Sequence, residues 1–241
     1  MSVMTDDRPK TRAAISPVEV LRSHPIFGKL PPKVLEQLGA YAARKRVRRG
    51  ALIFGKNDPG SGLMAVLHGA VKISVPTVDG REAVLNLIHA GELFGEIALL
   101  DGRPRTADAI AMEDSELMVI ERRDFLPFVR EQPEIAVNLI EILCARLRRT
   151  SEQVEDLMFM SLPARLAKTL LRLANLDGSE NKPVQFVMTQ RELSQMIGMS
   201  RESTNKQLRA WEKRKLVRLD RGMLTVLDAV ALSEIGEDNG A

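Results

Sequence analysis

The segment FGEIALLDGRPRTADAIA, residues 94–111, places a carboxylate and an arginine shortly after a glycine that can form a sharp turn. Gly95 permits that turn at the end of a strand, and the backbone N–H groups that follow can point toward an anion, as they do at helix N-termini. Arg105 can donate several hydrogen bonds to the same anion, with help from the hydroxyl of Thr106. Glu96 would repel a phosphate, so its carboxylate needs a hydroxyl or a cation beside it.

A cyclic nucleotide supplies both groups, because its ribose 2′-hydroxyl can donate to Glu96 while its phosphate accepts from Arg105. The same two side chains could equally form a surface salt bridge, which contributes about 0–1 kcal/mol to stability. Taken alone, the segment leaves a nucleotide site and an ordinary ion pair open.

A second segment, residues 189–217, carries the signals of two short helices joined by a turn. Thr189 followed by Glu192 is a capping box, and Gly198 stands where a tight turn would follow the first helix. A second helix over 201–214 would turn its apolar face inward and its charged face outward. This pattern predicts a helix-turn-helix, which reads DNA by laying its second helix in the major groove.

The exposed residues at the start of this second helix suit contacts with base edges. Arg201 can contact guanine, Glu202 can accept from cytosine, and Lys206 can reach guanine or a phosphate, each good base contact giving about 1–3 kcal/mol of discrimination. Residues at the helix ends suit phosphate contacts. An ordinary charged helix pair is the alternative interpretation. The predicted DNA-binding residues are Thr189, Gln190, Ser200, Arg201, Glu202, Lys206 and Arg209.

The elements around these motifs follow from the apolar pattern. Residues 46–120 consist of short apolar runs separated by Gly, Asp and Pro, which predicts a β-sandwich or β-roll, with a hairpin at Asp79-Gly80. Two short helices are predicted before it, over 18–43, and a flexible tail over 1–17. Two strands that meet at about 220–222 would add a wing to the helix-turn-helix.

A long helix is predicted from about Asp124 to Met160, followed by a hinge over 159–162 and a new helix that begins at Ser161 and Pro163. Its apolar positions alternate in steps of three and four, which places them on one stripe. Such a seam, with a polar residue near its middle, predicts a parallel helix pair in a homodimer. Packing of the stripe on the chain's own β-domain is the alternative. The stripe consists of Ile140, Leu143, Leu147, Thr150, Val154, Leu157 and Ser161.

Composition excludes several classes of protein. Of the 241 residues, 44% are hydrophobic and 28% are charged, which excludes disordered, collagen-like and membrane-spanning chains. The single cysteine, Cys144, cannot supply an internal disulfide, an iron–sulfur cluster or a structural zinc site, and it indicates a reducing compartment. No signal peptide or membrane helix is predicted, so we expect a soluble, cytoplasmic protein with two domains.

Charge is distributed unevenly along the chain. Residues 158–227 contain 13 Lys and Arg against 6 Asp and Glu, whereas the remainder contains 22 against 26. A basic C-terminal part joined to a mildly acidic N-terminal part is typical of a nucleic-acid-binding module attached to a sensing or partner module. A solvated basic face would give the same count. The basic run RKRVRR, residues 44–49, is interpreted as a solvated strand edge.

In their order, these motifs resemble the cyclic-AMP receptor (Crp/Fnr) family of bacterial transcription regulators. The resemblance rests on FGEIALLDGRPRTA, RRTSEQV and TQRELSQMIGMSRES, and it extends from about Val18 to Leu227. It implies an α+β fold with an N-terminal cyclic-nucleotide-binding β-roll, a long dimerisation helix and a C-terminal winged helix-turn-helix. The predicted parts are a tail over 1–17, the β-roll over 18–130, the dimerisation helix and hinge over 131–161, and the DNA-binding domain over 162–241.

The resemblance also implies roles for individual residues. Gly95 and Glu96 would hold the ribose, and Arg105 with Thr106 would hold the cyclic phosphate. Two hydroxyls of the long helix would reach the base, one of them across the dimer. The implied ligand-binding residues are Gly95, Glu96, Ile97, Arg105, Thr106, Thr150 and Ser151.

The resemblance implies an effector and partners as well. Cyclic AMP is expected, and cyclic GMP stays open because Thr106 stands where the bacterial cyclic-AMP receptor has serine, and some relatives that prefer cyclic GMP have threonine. Double-stranded DNA, a second copy of the chain and RNA polymerase are the expected partners, with no membrane. No metal, haem or iron–sulfur cofactor is expected, because the chain lacks the cysteine cluster of the oxygen-sensing branch and its histidines, His24, His68 and His89, are scattered.

Two departures from the family pattern stand out. The loop KNDPGSG, residues 56–62, looks longer than its counterpart in the family, so one wall of the pocket is expected to differ. Lys206 replaces an arginine of the recognition helix, and an ammonium cannot make the same bidentate contact, so the DNA half-site is expected to deviate there.

Two other functions stay open. A regulator of the same fold could be independent of cyclic nucleotides or respond to another effector. A cupin-like β-barrel enzyme would need clustered metal ligands, and only His68 and His89 fall in the predicted barrel strands. We therefore expect a regulator and not an enzyme.

Overall fold

The computed structural model describes residues 16–23, 27–28, 30–77, 82–174, 176, 183–220 and 222–237. The chain divides into two compact units. Residues 1–71 and 88–139 form the first unit, and residues 72–87 and 140–241 form the second. The hairpin turn predicted at Asp79-Gly80 and most of the predicted tail lie outside the described residues, and the domain boundaries at 130 and 161 stay predictions.

The chain enters the first unit through short helices. Helix α1 spans Pro17–Ser23 and α2 spans Pro32–Ala40. A capping box starts α1, since the Ser16 N–H donates to Glu19 Oε2 at 2.8 Å and the Glu19 N–H donates to Ser16 Oγ at 3.1 Å. Helix α1 therefore begins at Pro17, with Ser16 as its cap. Proline at the start of α2 agrees with the sequence prediction.

The β-roll predicted from the short apolar runs is present. One four-stranded sheet has the order β1-β8-β3-β6, and a second has the order β2-β7-β4-β5. Strand β8 pairs antiparallel with both β1 and β3, and the side chains of β3 are almost entirely buried. The strands are β1 (Ala43–Val47), β2 (Leu52–Phe54), β3 (Gly62–His68), β4 (Ala70–Pro76), β5 (Glu82–His89), β6 (Leu93–Phe94), β7 (Asp108–Ala111) and β8 (Ser115–Glu121).

The long helix predicted from Asp124 to Met160 is two helices. After α3 (Glu96–Asp101), α4 spans Arg122–Glu131 and α5 spans Pro133–Phe159. Between them Gln132 adopts φ −125° and ψ 85°, because the residue before a proline is driven out of helical conformation. Pro133 then occupies the first turn of α5, where its missing N–H costs nothing.

The predicted seam lies on α5 with one exception. Ile140, Leu147, Val154 and Leu157 are 58%, 67%, 50% and 54% exposed in the single chain. Ser161 is not part of the stripe, because α5 ends at Phe159 and Ser161 lies just before the next helix, where its hydroxyl accepts from the Ala164 N–H at 3.4 Å. The predicted hinge is thus reduced to two non-helical residues.

The second unit contains the helix-turn-helix and its wing. Strands β10 and β11 pair antiparallel, and β11 also pairs with β9, a strand that the sequence pattern does not predict. Helix α9 was not predicted either, and it packs against α6. The elements are α6 (Leu162–Ala174), β9 (Val184–Val187), α7 (Gln190–Ile197), α8 (Arg201–Lys213), β10 (Val217–Asp220), β11 (Met223–Val226) and α9 (Ala229–Glu237).

The capping box predicted for α7 is confirmed. The Thr189 N–H donates to Glu192 Oε2 at 2.8 Å, and the Glu192 N–H donates to Thr189 Oγ1 at 3.2 Å. These bonds satisfy two backbone donors that a helix N-terminus otherwise leaves open. Helix α8 then packs the chain's one tryptophan, Trp211, into the core of the unit at 1% exposure.

Replacing Thr189 with alanine removes the cap and is expected to lower the free energy of unfolding by about 1 kcal/mol. Trp211 fluorescence during chemical denaturation measures the unfolding of this unit. Thr189→Ser retains the hydroxyl and is expected to stay close to wild type. Equal stability of the alanine variant and wild type would contradict a stabilising role for the cap.

Candidate effector and DNA-binding sites

Arg105 lies inside the first unit, only 4% exposed. Its Nη1 donates to the carbonyl oxygen of Gly95 at 2.8 Å, and its Nη2 donates to that of Gly62 at 2.9 Å. The Cζ atom lies 4.2 Å from the centre of the Phe54 ring, a cation–π contact. The guanidinium is therefore fixed on three sides by the β-roll.

Gly95 is required here for two reasons. Its φ of +81° is a left-handed conformation that side chains disfavour, and it starts helix α3 directly after β6. A Cβ atom at this position would lie 2.5 Å from Nη1 of Arg105, closer than any real contact. The absence of a side chain at the predicted sharp turn thus also leaves the space that the Arg105 guanidinium occupies.

Glu96 is buried beside this arginine, at 3% exposure. The pKa of Arg105 lies below its ordinary value because burial penalises the charged guanidinium, while the carboxylates of Glu96, Glu121 and Asp58 partly offset that effect. Both Glu96 and Arg105 are buried, so the surface salt bridge that the sequence left open is not what the structure contains.

One donor of Arg105 remains open. Its Nε atom is shielded from solvent and donates no hydrogen bond. A buried donor without an acceptor is costly, and native proteins rarely leave one without a functional reason. The guanidinium is therefore held by two carbonyl oxygens and still lacks an acceptor at Nε.

The loop of residues 56–62 positions Arg105 through its backbone. The Asn57 N–H donates to the Arg105 carbonyl at 2.8 Å, and the Arg105 N–H donates to the Asp58 carbonyl at 2.9 Å. Asp58 also accepts from the Gly55 N–H at 2.7 Å, which fixes the start of the loop. The sequence reading noted this loop only as a departure from the family, and missed that it clamps the arginine.

The remaining predicted ligand residues fall in two places. Ile97, on α3, is 43% exposed, and Thr106, next to the buried arginine, is exposed. Thr150 and Ser151 belong to the second unit, on the exposed surface of α5, where their hydroxyls donate to the helix's own carbonyls at 3.0 Å each. The structure thus brings Gly95, Glu96 and Arg105 together in the first unit. Thr150, a residue of the seam, and Ser151 next to it lie on α5 in the second unit.

The predicted DNA-binding residues lie on one side of α8, at its start and at the start of α7. Arg201, Glu202 and Lys206 are exposed, whereas Leu208 on the opposite side is fully buried. Ser200 caps the helix, its hydroxyl accepting from the Ser203 N–H at 3.1 Å. The first turn of α8 is therefore free to meet base edges in a major groove. Thr189 and Ser200 are exposed and Gln190 is half-buried, all three at helix N-termini.

Arg209 has a structural contact that its predicted role did not anticipate. Its Nη1 lies 2.7 Å from Glu212 Oε2, and Glu212 Oε1 accepts from the Leu219 N–H at 3.1 Å. The hydrogen bond from Arg209 is the largest of the effects that lower the pKa of Glu212. Glu212 thus connects α8 to strand β10 of the wing, and Arg209 pairs with its carboxylate while the Arg209 side chain stays accessible.

Two contacts that the sequence reading missed hold the turn between α7 and α8. Arg165 on α6 donates from Nη1 to the Ile197 carbonyl at 3.2 Å and from Nη2 to Met199 Sδ at 3.3 Å. Gly198, with φ of +68°, faces Leu157 of α5, whose Cδ2 atom would lie 3.2 Å from a Cβ added to the glycine. No sequence signal marks Arg165, because its partners are distant in sequence.

Among the described residues, no group of three or more His, Cys, Asp or Glu side chains is placed to hold a metal ion. Within that same part of the chain, no helix combines the length and apolar character needed to cross a membrane.

Comparison with known families matches both halves of the chain. Residues 44–132 match the cyclic nucleotide-binding domain, and residues 164–235 match the Crp-like helix-turn-helix domain. The first match contains the Arg105 site, and the second contains α7, α8 and the wing. The order of the two domains is the one that the sequence motifs indicated.

Individual relatives cover nearly the whole chain. The CRP-like cAMP-activated global transcriptional regulator of Mycobacterium tuberculosis is 32% identical over 218 residues, which cover 89% of this chain and 97% of that protein. The cyclic AMP receptor protein of Thermus thermophilus is 34% identical over 215 residues, which cover 89% of this chain and 98% of that protein.

Solved structures agree with this assignment. The catabolite activator protein of Thermus thermophilus superposes with a TM-score of 0.50 at 34% identity, covering 90% of this chain and 98% of that one. The global regulator CLP of Xanthomonas campestris shares the fold, with a TM-score of 0.71 at 24% identity over 82% and 99% of the two chains. With a cyclic nucleotide-binding domain followed by a DNA-binding helix-turn-helix, the chain belongs to the Crp/Fnr family of transcription regulators.

Proposed function

We propose that this regulator is a homodimer whose binding to a palindromic DNA site is controlled by a cyclic nucleotide, with cyclic AMP as the effector. The observation that carries the proposal is the buried guanidinium of Arg105, which is oriented by two carbonyl oxygens and has an open donor at Nε. The names of the M. tuberculosis and T. thermophilus relatives, which state cyclic AMP, favour this nucleotide over cyclic GMP.

In the proposed complex, the cyclic phosphate accepts from Arg105 and from the hydroxyl of Thr106. The ribose 2′-hydroxyl donates to the carboxylate of Glu96, which explains why an acidic residue is buried beside an anion site. Charge-assisted hydrogen bonds of this kind are about twice as strong as neutral ones. The phosphate would then accept from a buried cation, and the ribose would donate to a buried carboxylate.

The exposed stripe of α5 supports the homodimer. In the single chain, Leu147 is 67% exposed and Val154 50%. Two copies of the stripe packed in parallel would remove this apolar surface from water. Thr150 and Ser151 then lie at the helix pair, where the base of the nucleotide would accept and donate hydrogen bonds in place of their present contacts with the helix backbone.

The ligand would act by favouring one arrangement of the dimer. Two recognition helices read adjacent major grooves when they lie about 34 Å apart, one turn of DNA. The nucleotide shifts the dimer toward that arrangement only to the extent that it binds it more tightly than the alternative. A DNA affinity that is the same with and without nucleotide would instead support a regulator with another effector.

The dimer seam is tested by Leu147→Glu. We expect this variant to be a monomer at micromolar concentrations where wild type is a dimer, because the substitution places two unpaired carboxylates in the centre of the interface. Light scattering coupled to size-exclusion chromatography measures the mass. Leu52→Glu is the matched control, since Leu52 is similarly exposed, at 60%, but lies on strand β2. A dimeric Leu147→Glu variant would contradict the proposed interface.

The effector site is tested by Arg105→Leu. A duplex selected from a random pool by the wild-type protein with cyclic AMP serves as the probe, and fluorescence anisotropy measures its affinity. We expect cyclic AMP to raise the DNA affinity of wild type and to have no effect on the variant, which lacks the phosphate ligand.

Arg103→Leu is the control, because Arg103 is exposed two residues away and should respond as wild type does. Circular dichroism of Arg105→Leu checks that it is folded. If the folded variant still responds to cyclic AMP, Arg105 is not the phosphate ligand.

The recognition helix is tested by Arg201→Ala. We expect this variant to lose base preference at one position of each half-site, with a loss of about 1–3 kcal/mol of discrimination. Sequencing of DNA selected by wild type and by the variant measures the preference at every position. Arg218→Ala, on the exposed wing, is expected to weaken binding to all sequences alike. An unchanged profile for Arg201→Ala would place base recognition elsewhere.

A further inference from the structure

The carboxylate of Glu212, near the end of the recognition helix α8, contacts two parts of the second unit at once. Its Oε2 atom lies 2.7 Å from Nη1 of Arg209, three residues earlier on the same helix. Its Oε1 atom accepts from the Leu219 N–H, on strand β10 of the wing, at 3.1 Å. Each oxygen of this side chain therefore has a different partner.

The contact with the wing is made at the edge of its sheet. The strand order is β10-β11-β9, so β10 is an edge strand. An edge strand presents backbone N–H groups that its own sheet does not pair. Glu212 accepts from one of them, that of Leu219, and this bond fixes the position of the carboxylate relative to the wing.

The contact with Arg209 orients a guanidinium that stays accessible. The side chain of Arg209 is 61% exposed, and that of Glu212 is 29% exposed. A guanidinium carries five N–H donors, so a bond to one carboxylate leaves donors for a second anion. The pKa of Glu212 lies below its ordinary value, first because of the hydrogen bond from Arg209 and then because of the bond from the Leu219 N–H. The carboxylate is therefore ionised at neutral pH.

Arg209 lines a recess of about 460 Å³ between the recognition helix and the wing. Thr189, Gln190 and Arg201 line the same recess, and all four residues are predicted to contact DNA. A guanidinium at this wall can pair with a phosphate oxygen of the DNA backbone, which adds affinity for every base sequence alike.

We propose that Glu212 is a positioning residue for DNA binding, which is anchored to the wing and holds the guanidinium of Arg209 toward a backbone phosphate. A side chain that is already ordered loses less conformational entropy on binding, so the contact is tighter than one made by a free arginine. Glu212 itself repels a phosphate, so it favours DNA binding only through Arg209. This inference rests on the DNA-binding function proposed above.

The test compares Glu212→Gln with wild type by fluorescence anisotropy, on a duplex that wild type selects from a random pool, with cyclic AMP present throughout. The amide oxygen of the glutamine can still accept from the Leu219 N–H, but its NH₂ group cannot accept from Arg209. We expect the variant to bind the duplex about fivefold more weakly. Removal of a negative charge would by itself strengthen DNA binding, so an affinity equal to or above that of wild type would overturn the proposal.

A double variant shows whether Glu212 acts through Arg209. Arg209→Gln is expected to weaken binding to the selected duplex and to an unrelated duplex by the same factor. The variant that carries both Arg209→Gln and Glu212→Gln is expected to bind no more weakly than Arg209→Gln alone, whereas additive losses would overturn the proposal. Glu234→Gln is the control for removal of a carboxylate, because Glu234 is exposed on α9, and it is expected to bind as wild type does.

Salt dependence tests the phosphate contact itself. We expect Arg209→Gln to lower the slope of log affinity against log salt concentration by about 0.9, the contribution of one phosphate. Thermal unfolding followed by Trp211 fluorescence shows whether the variants are folded at the temperature of the measurement. If Glu212→Gln is not folded there, Arg209→Gln still decides, since an unchanged slope would overturn the proposal.

The same experiment separates this inference from the proposed control by nucleotide. Equal DNA affinity of wild type with and without cyclic AMP would contradict that control and leave the comparison of the variants intact. If wild type selects no duplex from the pool, the DNA-binding function is overturned and the role of Glu212 with it.

Discussion

The candidate nucleotide site depends on the placement of the Arg105 guanidinium. The carbonyl oxygens of Gly95 and Gly62 hold this group, and it packs on the Phe54 ring. A buried cation is tolerated only where the protein supplies acceptors. The left-handed glycine makes room for it, the loop of residues 56–62 clamps its backbone, and the carboxylate of Glu96 lies beside it. All of these leave Nε without an acceptor, which an anion would supply in the proposed complex.

In the second unit, local hydrogen bonds to the backbone fix the DNA-binding helices. The charged faces of these helices stay exposed. The caps at Thr189 and Ser200 start α7 and α8, and the contact from Arg165 fixes the turn between them. Helix α8 can therefore present its first turn to DNA without depending on its exposed side chains for stability. Helix α5, in contrast, leaves an apolar stripe exposed, which a second copy of the chain would cover.

Features coded by neighbouring residues were predictable from the sequence, whereas those made by distant residues were not. The capping box at Thr189, the turn at Gly95 and the short apolar strands each follow from a few adjacent residues. The clamp on Arg105 and the contact of Arg165 with the turn join residues far apart in the chain, so no local signal marks them.

The break in the long helix and the presence of helix α9 could both have been predicted, because local sequence signals mark them. Pro133 breaks the long helix by a known steric effect, and Asp228, whose side chain accepts from the Ala231 N–H at 3.0 Å, marks the start of the unpredicted helix α9. Strand β9 is different, since only its pairing with β11 defines it.

Calorimetric titration of the wild-type protein with cyclic AMP and, separately, with cyclic GMP tests the central claim most directly. The buried Arg105 and Glu96 predict saturable binding with one nucleotide per chain, and the relatives' names predict that cyclic AMP binds more tightly. Absence of heat, together with absence of competition between either nucleotide and a fluorescent cyclic nucleotide analogue, would contradict the account and leave a DNA-binding regulator that responds to a different signal.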